Sequence, residues 1–550
     1  MTQVNSQSPT SRQTISRPPA TAVLSLRAAI PVAAIGGIAM NVAFPALGWW
    51  PLAFVALILT LLTFIGRSTW GAVLVGGIFG AGFWFPHVAW SAQFLGDHPL
   101  RWVPWVALAS IQAIFMAALA PLITLAYRWL PRLRNTWPMR LIALPALVAG
   151  AWILRELIMG SWPYGGFPWG RVGMSQSESP FAVITSWVGV TGLGFLMVAV
   201  SAGAIEAIRF ITHNRRELKH SRKLELTNLG KPARAQWLAL IPTAALIVTM
   251  LLIPQFPTAH AGTMRVGAVQ GDGPAAYMDD RDANAVLDSQ LEASAPLAGE
   301  EVDIVLRPEG GVDSDPLADE ATAETLNGAV EQYSAPILLN AASTHNDVML
   351  NTSFLWTEDG PTASHSKRHP VPFGEYVPNR SFYSAIAPSL VNMLQREYAA
   401  GTDVPIIDVA GTDVGLAICF DVVFDDVIRE GAQSGAQLLM FQTNNADFRG
   451  TDENLQQLAF ARMRAIETSR SAVNLSTTGT SQMFTPDGSI VAELPADGPG
   501  HMVADLELRD GVTPGILLGR PIEILIAVST LAALGVLVLI ELHGRRKARA

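Results

Sequence analysis

The amino-acid sequence predicts a polytopic α-helical membrane bundle of eight spans, joined to an α/β layered domain on the extracytoplasmic side. Three observations lead to that class. Half of the 550 residues are hydrophobic and only 15% are charged, a balance that marks membrane proteins. Long uncharged runs fill residues 21–256 and return at 521–541. Charge divides along the same line: residues 257–520 hold 14 Lys/Arg against 38 Asp/Glu, and the remainder holds 23 against 8. An acidic polar domain is thus set into a basic, apolar chain. One cysteine leaves no internal disulfide and no cysteine-based zinc site.

Residues 1–20 are rich in Ser, Thr, Gln and Arg, and are expected to be a disordered cytoplasmic tail. The uncharged window 28–66 is long enough for two spans, because about 20 residues cross a bilayer; the turn falls near Phe44–Pro51. Further spans are expected at 68–96, 102–127, 139–159, 180–206, 236–256 and 521–541. Basic residues set the orientation. Arg67, the group Arg128, Arg132, Arg134 and Arg140, the eight Lys/Arg between Arg209 and Arg234, and the tail Arg545-Arg546-Lys547 all fall on one side if both termini are cytoplasmic. The expected parts are then a seven-helix membrane domain at 21–256, an extracytoplasmic domain at 257–520, the eighth span at 521–541 and a basic tail at 542–550.

The loop from Gly160 to Gly170 falls on the outer face. Its Trp and Tyr suit a membrane interface, while the Gly and Pro among them suggest a shaped element facing the outer domain. Arg155-Glu156 is a charged pair in an apolar span, either functional or a snorkelling structural pair. In the outer domain, strand-like runs at 264–270, 302–306, 336–341, 353–356, 406–409, 415–418 and 438–442 alternate with helical patterns at 275–298 and 452–469. That alternation argues for layered α/β structure. No nucleotide-binding loop or zinc motif occurs, and neither a nucleic-acid partner nor a metal is expected.

Reactive side chains sit where predicted strands end. Glu309 follows Ile304–Leu306, Lys367 opens the stretch Lys367-Arg368-His369-Pro370, and Cys419 closes Gly415–Ile418. Each alone has an ordinary reading: a solvated strand end, a surface ion pair, a core cysteine. Together they fit acyl transfer. A thiol needs a base to become the nucleophilic thiolate, and a cation is needed where oxyanion charge develops.

Several segments carry a resemblance: Val269-Gln270-Gly271, Pro308-Glu309, Lys367 with Val371-Pro372-Phe373-Gly374-Glu375-Tyr376-Val377-Pro378, Ala417-Ile418-Cys419, Ala461–Glu467 and Gly166-Phe167-Pro168-Trp169. The outer domain resembles the nitrilase (carbon–nitrogen hydrolase) superfamily, whose fold is an α-β-β-α sandwich bearing a Glu–Lys–Cys triad. The whole chain, over roughly residues 25–541, resembles the apolipoprotein N-acyltransferase family of bacterial lipoprotein maturation.

The resemblance implies Glu309 as base, Lys367 as oxyanion stabiliser and Cys419 as nucleophile, supported by Glu375, Phe420 and Asp421. It implies substrate contacts at Phe167 and Trp169, and at Tyr277 in place of a tryptophan the family carries after Val-Gln-Gly. It further implies a phospholipid acyl donor, a diacylglyceryl lipoprotein acceptor, no cofactor, a monomer and a bacterial inner-membrane location. There are departures. Cys419-Phe420-Asp421 stands where the family reads Cys-Tyr-Glu, and Asp447 where it reads Trp. The first keeps an aromatic and a carboxylate; the second bears on lipid or lipoprotein docking. A membrane-tethered amidase shares the triad and is the alternative, with a catalytically silent membrane scaffold as a third reading.

Overall fold

The computed structural model describes residues 22–133, 136–222 and 237–549. The tail expected at 1–20 lies outside them, as does the part of the basic segment at 223–236. Among the described residues the chain opens with seven apolar helices: α1 (Leu26–Val42), α2 (Pro51–Phe64), α3 (Thr69–His87), α4 (Trp102–Leu133), α5 (Leu144–Met159), α6 (Thr185–Arg222) and α7 (Ile241–Leu252). Their ends carry ordinary signals. Ser25 and Ser68 cap α1 and α3 by accepting from the N–H of Ala28 and Gly71, and Pro51 opens α2. Segments Thr69–His87, Trp102–Leu133, Met139–Met159, Ala182–Thr212 and Pro514–Lys547 are long and apolar enough to cross a bilayer; Leu26–Val42, Pro51–Phe64 and Leu238–Leu252 are shorter.

The polar part is two six-stranded sheets face to face. The first runs in the order β12 (Gly500–Asp510), β1 (Ala259–Gln270), β2 (Ile304–Leu306), β3 (Ile337–His345), β4 (Val348–Thr357), β5 (Gly360–Ser366). The second runs β11 (Ile490–Leu494), β10 (Ser481–Phe484), β9 (Ala472–Ser476), β8 (Leu438–Thr443), β7 (Thr412–Ile418), β6 (Ile406–Val409). Each has a parallel centre, β1-β2-β3 and β7-β8-β9, with antiparallel flanks. Val266, Leu306 and Leu338 meet Leu416, Met440 and Val473 between the sheets. Helices α8 (Ala285–Ser294) and α9 (Glu320–Tyr333) cover the first sheet through Leu287, Leu326 and Val330. The second carries α12 (Asp425–Gln433) and α13 (Glu453–Thr468), after the short α10 (Arg380–Ile386) and α11 (Pro388–Val391) of a connecting arm; the last helix, α14, spans Pro514–Arg549.

The layers do not stop at α13. Fourteen of its 16 residues are buried, so it is an interior helix with the second sheet on one side and the apolar helices on the other. One continuous core joins Trp84, Trp152 and Met174 of the helical part to Val427, Phe460 and Met463 of α12 and α13.

Several sequence expectations are corrected. The helix expected at 275–298 is confined to 285–294 plus one 3-10 turn, because Tyr277 N is held by Asp447 and the helix start is fixed by Asp313, which accepts from Val286 N and Leu287 N. Helix α6 continues through Arg222, into the segment read as a basic loop. Helix α14 begins at Pro514 rather than 521, with Arg520 inside it and paired to Glu523 one turn on. Five strands, β5 and β9–β12, have no counterpart among the seven expected.

Helices α1 and α3 touch backbone to backbone at Gly37, where a Cβ would lie 2.4 Å from Phe79 O. Gly37→Val is expected to cost about 1–3 kcal/mol by forcing them apart. A fall in the thermal midpoint of the detergent-solubilised protein measures it; an unchanged midpoint would contradict the close packing.

Candidate active site

Three strand ends meet at one edge of the sandwich. After β2, Glu309 presents Oε1, which accepts from Lys367 Nζ at 2.9 Å and from Asn351 Nδ2 at 2.7 Å. Lys367, next after β5, also donates to Glu375 Oε1 at 3.0 Å. Glu375 is held in turn, its Oε2 accepting from Val371 N at 2.6 Å. After β7, Cys419 begins a 3-10 turn with φ at +50°, a left-handed conformation that a side chain adopts only when its surroundings impose it. Asp421 supplies much of that constraint. Its carboxylate accepts from His369 N at 2.8 Å, Arg368 N at 3.1 Å and Ile418 N at 3.4 Å, stitching the segment after Lys367 to the cysteine turn.

Burial works against the charge on Lys367, but Glu309 and Glu375 more than offset it and hold the ammonium well above its ordinary range. Glu309 is raised, chiefly by burial and against the pull of Lys367. Burial pushes the Cys419 thiol well up, and the charge of Glu309 adds to that while Lys367 opposes it. Burial therefore favours the neutral thiol at rest, beside the paired Glu309 and Lys367. Negative charge on the sulfur or on a bound carbonyl oxygen falls where Lys367 can meet it.

Phe420 faces the helical part. Its ring stacks on Phe167 at 5.9 Å and Trp169 at 6.3 Å. Trp169 is only 2% exposed, its Nε1 donating to Gln456 Oε1 of α13 at 2.6 Å, so it fills the joint between bundle and sandwich. A cavity of about 370 Å³ lies beside these rings, lined by Tyr164, His369, Tyr376, Tyr398, Phe420 and Phe424. Tyr277 does not line this cavity and instead anchors the arm: its OH donates to Met393 O at 3.1 Å and accepts from Gln395 N at 2.9 Å. Asp447, whose carboxyl burial pushes up to about 6, accepts from Tyr277 N at 2.8 Å.

The sequence did not point to Asn351, Asn445, Gln456 or Gln457, which lie within or just after regular elements and carry no spacing signal. Nor did it point to Arg171, which reaches from the loop after α5 to the cysteine turn. Arg171 grips Asp425 with both terminal nitrogens at 2.6 and 2.7 Å and donates to Val423 O at 3.1 Å. Arg464 of α13 joins it, donating to Val422 O, Val423 O and Asp425. Arg464 also pairs with Glu467, whose other oxygen accepts from Val190 N, freed where α6 breaks at Gly189 with φ +70°. Glu156 likewise accepts from Arg155, Trp152 Nε1 and Val172 N, so that pair ties the loop after α5 back to the helix. Among the described residues no cluster of three His, Cys, Asp or Glu could hold a metal ion.

Residues 36–203 match the apolipoprotein N-acyltransferase N-terminal domain, and residues 265–512 match the carbon-nitrogen hydrolase domain. An apolipoprotein N-acyltransferase of Mycolicibacterium smegmatis is 30% identical, across 95% of this chain and 87% of its own length. This chain belongs to the apolipoprotein N-acyltransferase family. Members from Shewanella oneidensis and Ralstonia nicotianae are 28% and 27% identical, across 80% and 95% of this chain and 81% and 94% of their own lengths.

Removing one partner of a buried ion pair costs about 3–5 kcal/mol when the other is left uncompensated, and Asp425 would keep Arg464, so the loss here is expected to fall below that range. Arg171→Ala is expected to lower the thermal midpoint, and Arg171→Lys, which keeps the charge without the fork, to lower it less. Wild-type stability in the alanine variant would show that the ion cluster does not hold the joint.

Proposed function

We propose that the protein moves an acyl chain from a phospholipid to the N-terminal amine of a diacylglyceryl-cysteine lipoprotein, through a thioester on Cys419. The observation that carries this reading is the triad geometry at the joint with an apolar helical bundle: Lys367 Nζ lies 2.9 Å from Glu309, beside a cysteine whose neighbouring ring packs on the loop after α5. The names of the family's members supply the substrate class.

In the first step the Cys419 proton passes to Glu309 and the sulfur attacks the ester carbonyl. The oxyanion is met by Lys367 and backbone N–H groups. The C–O bond then breaks, and Glu309 returns the proton to the departing lysophospholipid oxygen. In the second step the lipoprotein amine attacks the thioester carbonyl and loses its proton to Glu309. The C–S bond breaks, the amide leaves, and the thiolate recovers the proton. Apolar walls favour the amine over water at the thioester.

Both substrates are lipids, which accounts for a sandwich attached to helices at both ends. The corresponding arrangement has eight spans, both termini cytoplasmic, the 257–520 domain outside the cytoplasm and the whole protein in the bacterial inner membrane, acting as a monomer without a cofactor. Basic residues at Arg67, Arg128, Arg140 and Arg545 support that orientation. Tyr277, tied to Asp447 and to the arm, is assigned to acceptor docking along with Phe167, while Trp169, buried in the joint, backs the Phe167 and Phe420 rings instead of meeting substrate.

Mass spectrometry of an intact lipoprotein from cells with and without the gene tests the activity: a diacyl form becoming triacyl is expected, and identical spectra would refute it. Release of free acid from small amides would instead favour a tethered amidase. The residue roles separate by trapping acylated Cys419 from phospholipid alone and then adding a diacylglyceryl peptide. Glu309→Gln is expected to trap no thioester, because a neutral amide cannot take the proton. Asp447→Ala should trap it normally and change only the transfer rate, since the carboxylate contacts Tyr277 rather than the triad. A Glu309→Gln protein that acylates at the wild-type rate would remove Glu309 as the thiol's base.

A further inference from the structure

A side chain from outside the triad touches the Cys419 sulfur. Gln457, on α13, approaches Sγ with Nε2 at 3.5 Å. The amide is oriented by its other end, where Oε1 accepts from Asn445 Nδ2 at 2.7 Å. Asn445 is oriented in turn: Nδ2 also donates to Glu453, and Oδ1 accepts from Ser476 Oγ at 2.6 Å. Glu453 and Gln457 lie four residues apart, on one face of α13, and Asn445 follows β8. All three side chains are at most 3% exposed.

We propose that Gln457 is a further catalytic residue, donating from Nε2 to the Cys419 sulfur and stabilising its thiolate, with Asn445 and Glu453 as positioning residues that hold the amide in the donor orientation. The proposal rests on Cys419 being the nucleophile. The charges facing the sulfur call for such a donor: Glu309 and Glu375 disfavour the thiolate, and Lys367 opposes them. An ammonium has three N–H groups, and two of those on Lys367 are engaged by Glu309 and Glu375. The third is the one left for the substrate oxyanion. A neutral amide on the other side of the sulfur adds a donor without drawing the oxyanion away from Lys367. Glu453 suits its part because burial pushes its carboxyl up to about 8, with Glu309 and Asp447 adding to that against the Asn445 hydrogen bond. Near neutral pH it offers Asn445 an acceptor oxygen while adding little negative charge near the sulfur.

The test is the rate of Cys419 alkylation by iodoacetamide in the purified full-length protein, followed from neutral to alkaline pH alongside thioester formation from phospholipid. Gln457→Met, similar in length but without a donor, is expected to shift the alkylation profile up by about one pH unit and to slow thioester formation about tenfold. Asn445→Ser, which loosens the amide, should shift it in the same direction and serves if Gln457→Met does not fold. Glu453→Leu should shift it less, and Glu453→Gln, which keeps an oxygen for Asn445, should restore the midpoint. A wild-type profile in folded Gln457→Met or Asn445→Ser protein would overturn the donor role. A Glu453→Gln midpoint displaced as far as that of Glu453→Leu would overturn the positioning role. Cys419→Ala keeps the two readings apart. Lipoprotein acylation persisting in that variant refutes the thioester route itself, whereas failure of the Gln457 role alone leaves Cys419 acylated at the wild-type rate.

Discussion

The catalytic centre is organised around one buried ammonium. An isolated charge moved out of water is unstable by several kcal/mol, and Lys367, 1% exposed, avoids that state only by lying between Glu309 and Glu375. The requirement spreads outward. Two carboxylates near one cation repel each other, so each is given a further donor, Asn351 Nδ2 for Glu309 and Val371 N for Glu375. Asn351 is then held by Asn340, which also accepts from Gly310 N, just after Glu309. A network satisfied at every link is stiff, and that stiffness sets the triad geometry.

The nucleophile is held from the other direction. Its strained turn is fixed to the lysine segment by Asp421, to the helical part by Arg171 through Val423 O, and to α13 by Arg464 through the carbonyls of Val422 and Val423. One arginine belongs to the loop after α5 and the other to α13, so the turn lies where the two parts of the chain meet. Gln456 and Gln457 divide the two sides of α13 between them, the first bonded to Trp90 and Trp169 and the second to the sulfur.

Much of this was legible in the sequence. The helices stand where uncharged runs were long, and Glu309 and Cys419 follow strands whose apolar cores are unmistakable. The losses have particular causes. Strand β5, Gly-Pro-Thr-Ala-Ser-His-Ser, has almost no apolar residues and owes its place to pairing with β4. Strand β12 does alternate, with Met502, Ala504, Leu506 and Leu508 inward, but acidic residues between them mask the run. The helical pattern at 452–469 carries no mark that sets Gln456 and Gln457 apart as buried. Nothing local reveals that a helix is covered on both sides. Arg171 was hidden for the same reason, since its partner Asp425 lies 254 residues away.

That double covering bears on how the enzyme can be handled and how it could have arisen. A free-standing sandwich would leave the bundle-facing side of α13 bare, exposing Phe460 and Met463 together with the Arg464–Asp425 pair stripped of Arg171. An apolar patch of that kind, with a half-satisfied ion cluster in it, favours aggregation over solubility. The sandwich cannot simply be excised at its linkers. Any ancestor that functioned without the helices must have worn a different, more polar surface on this one.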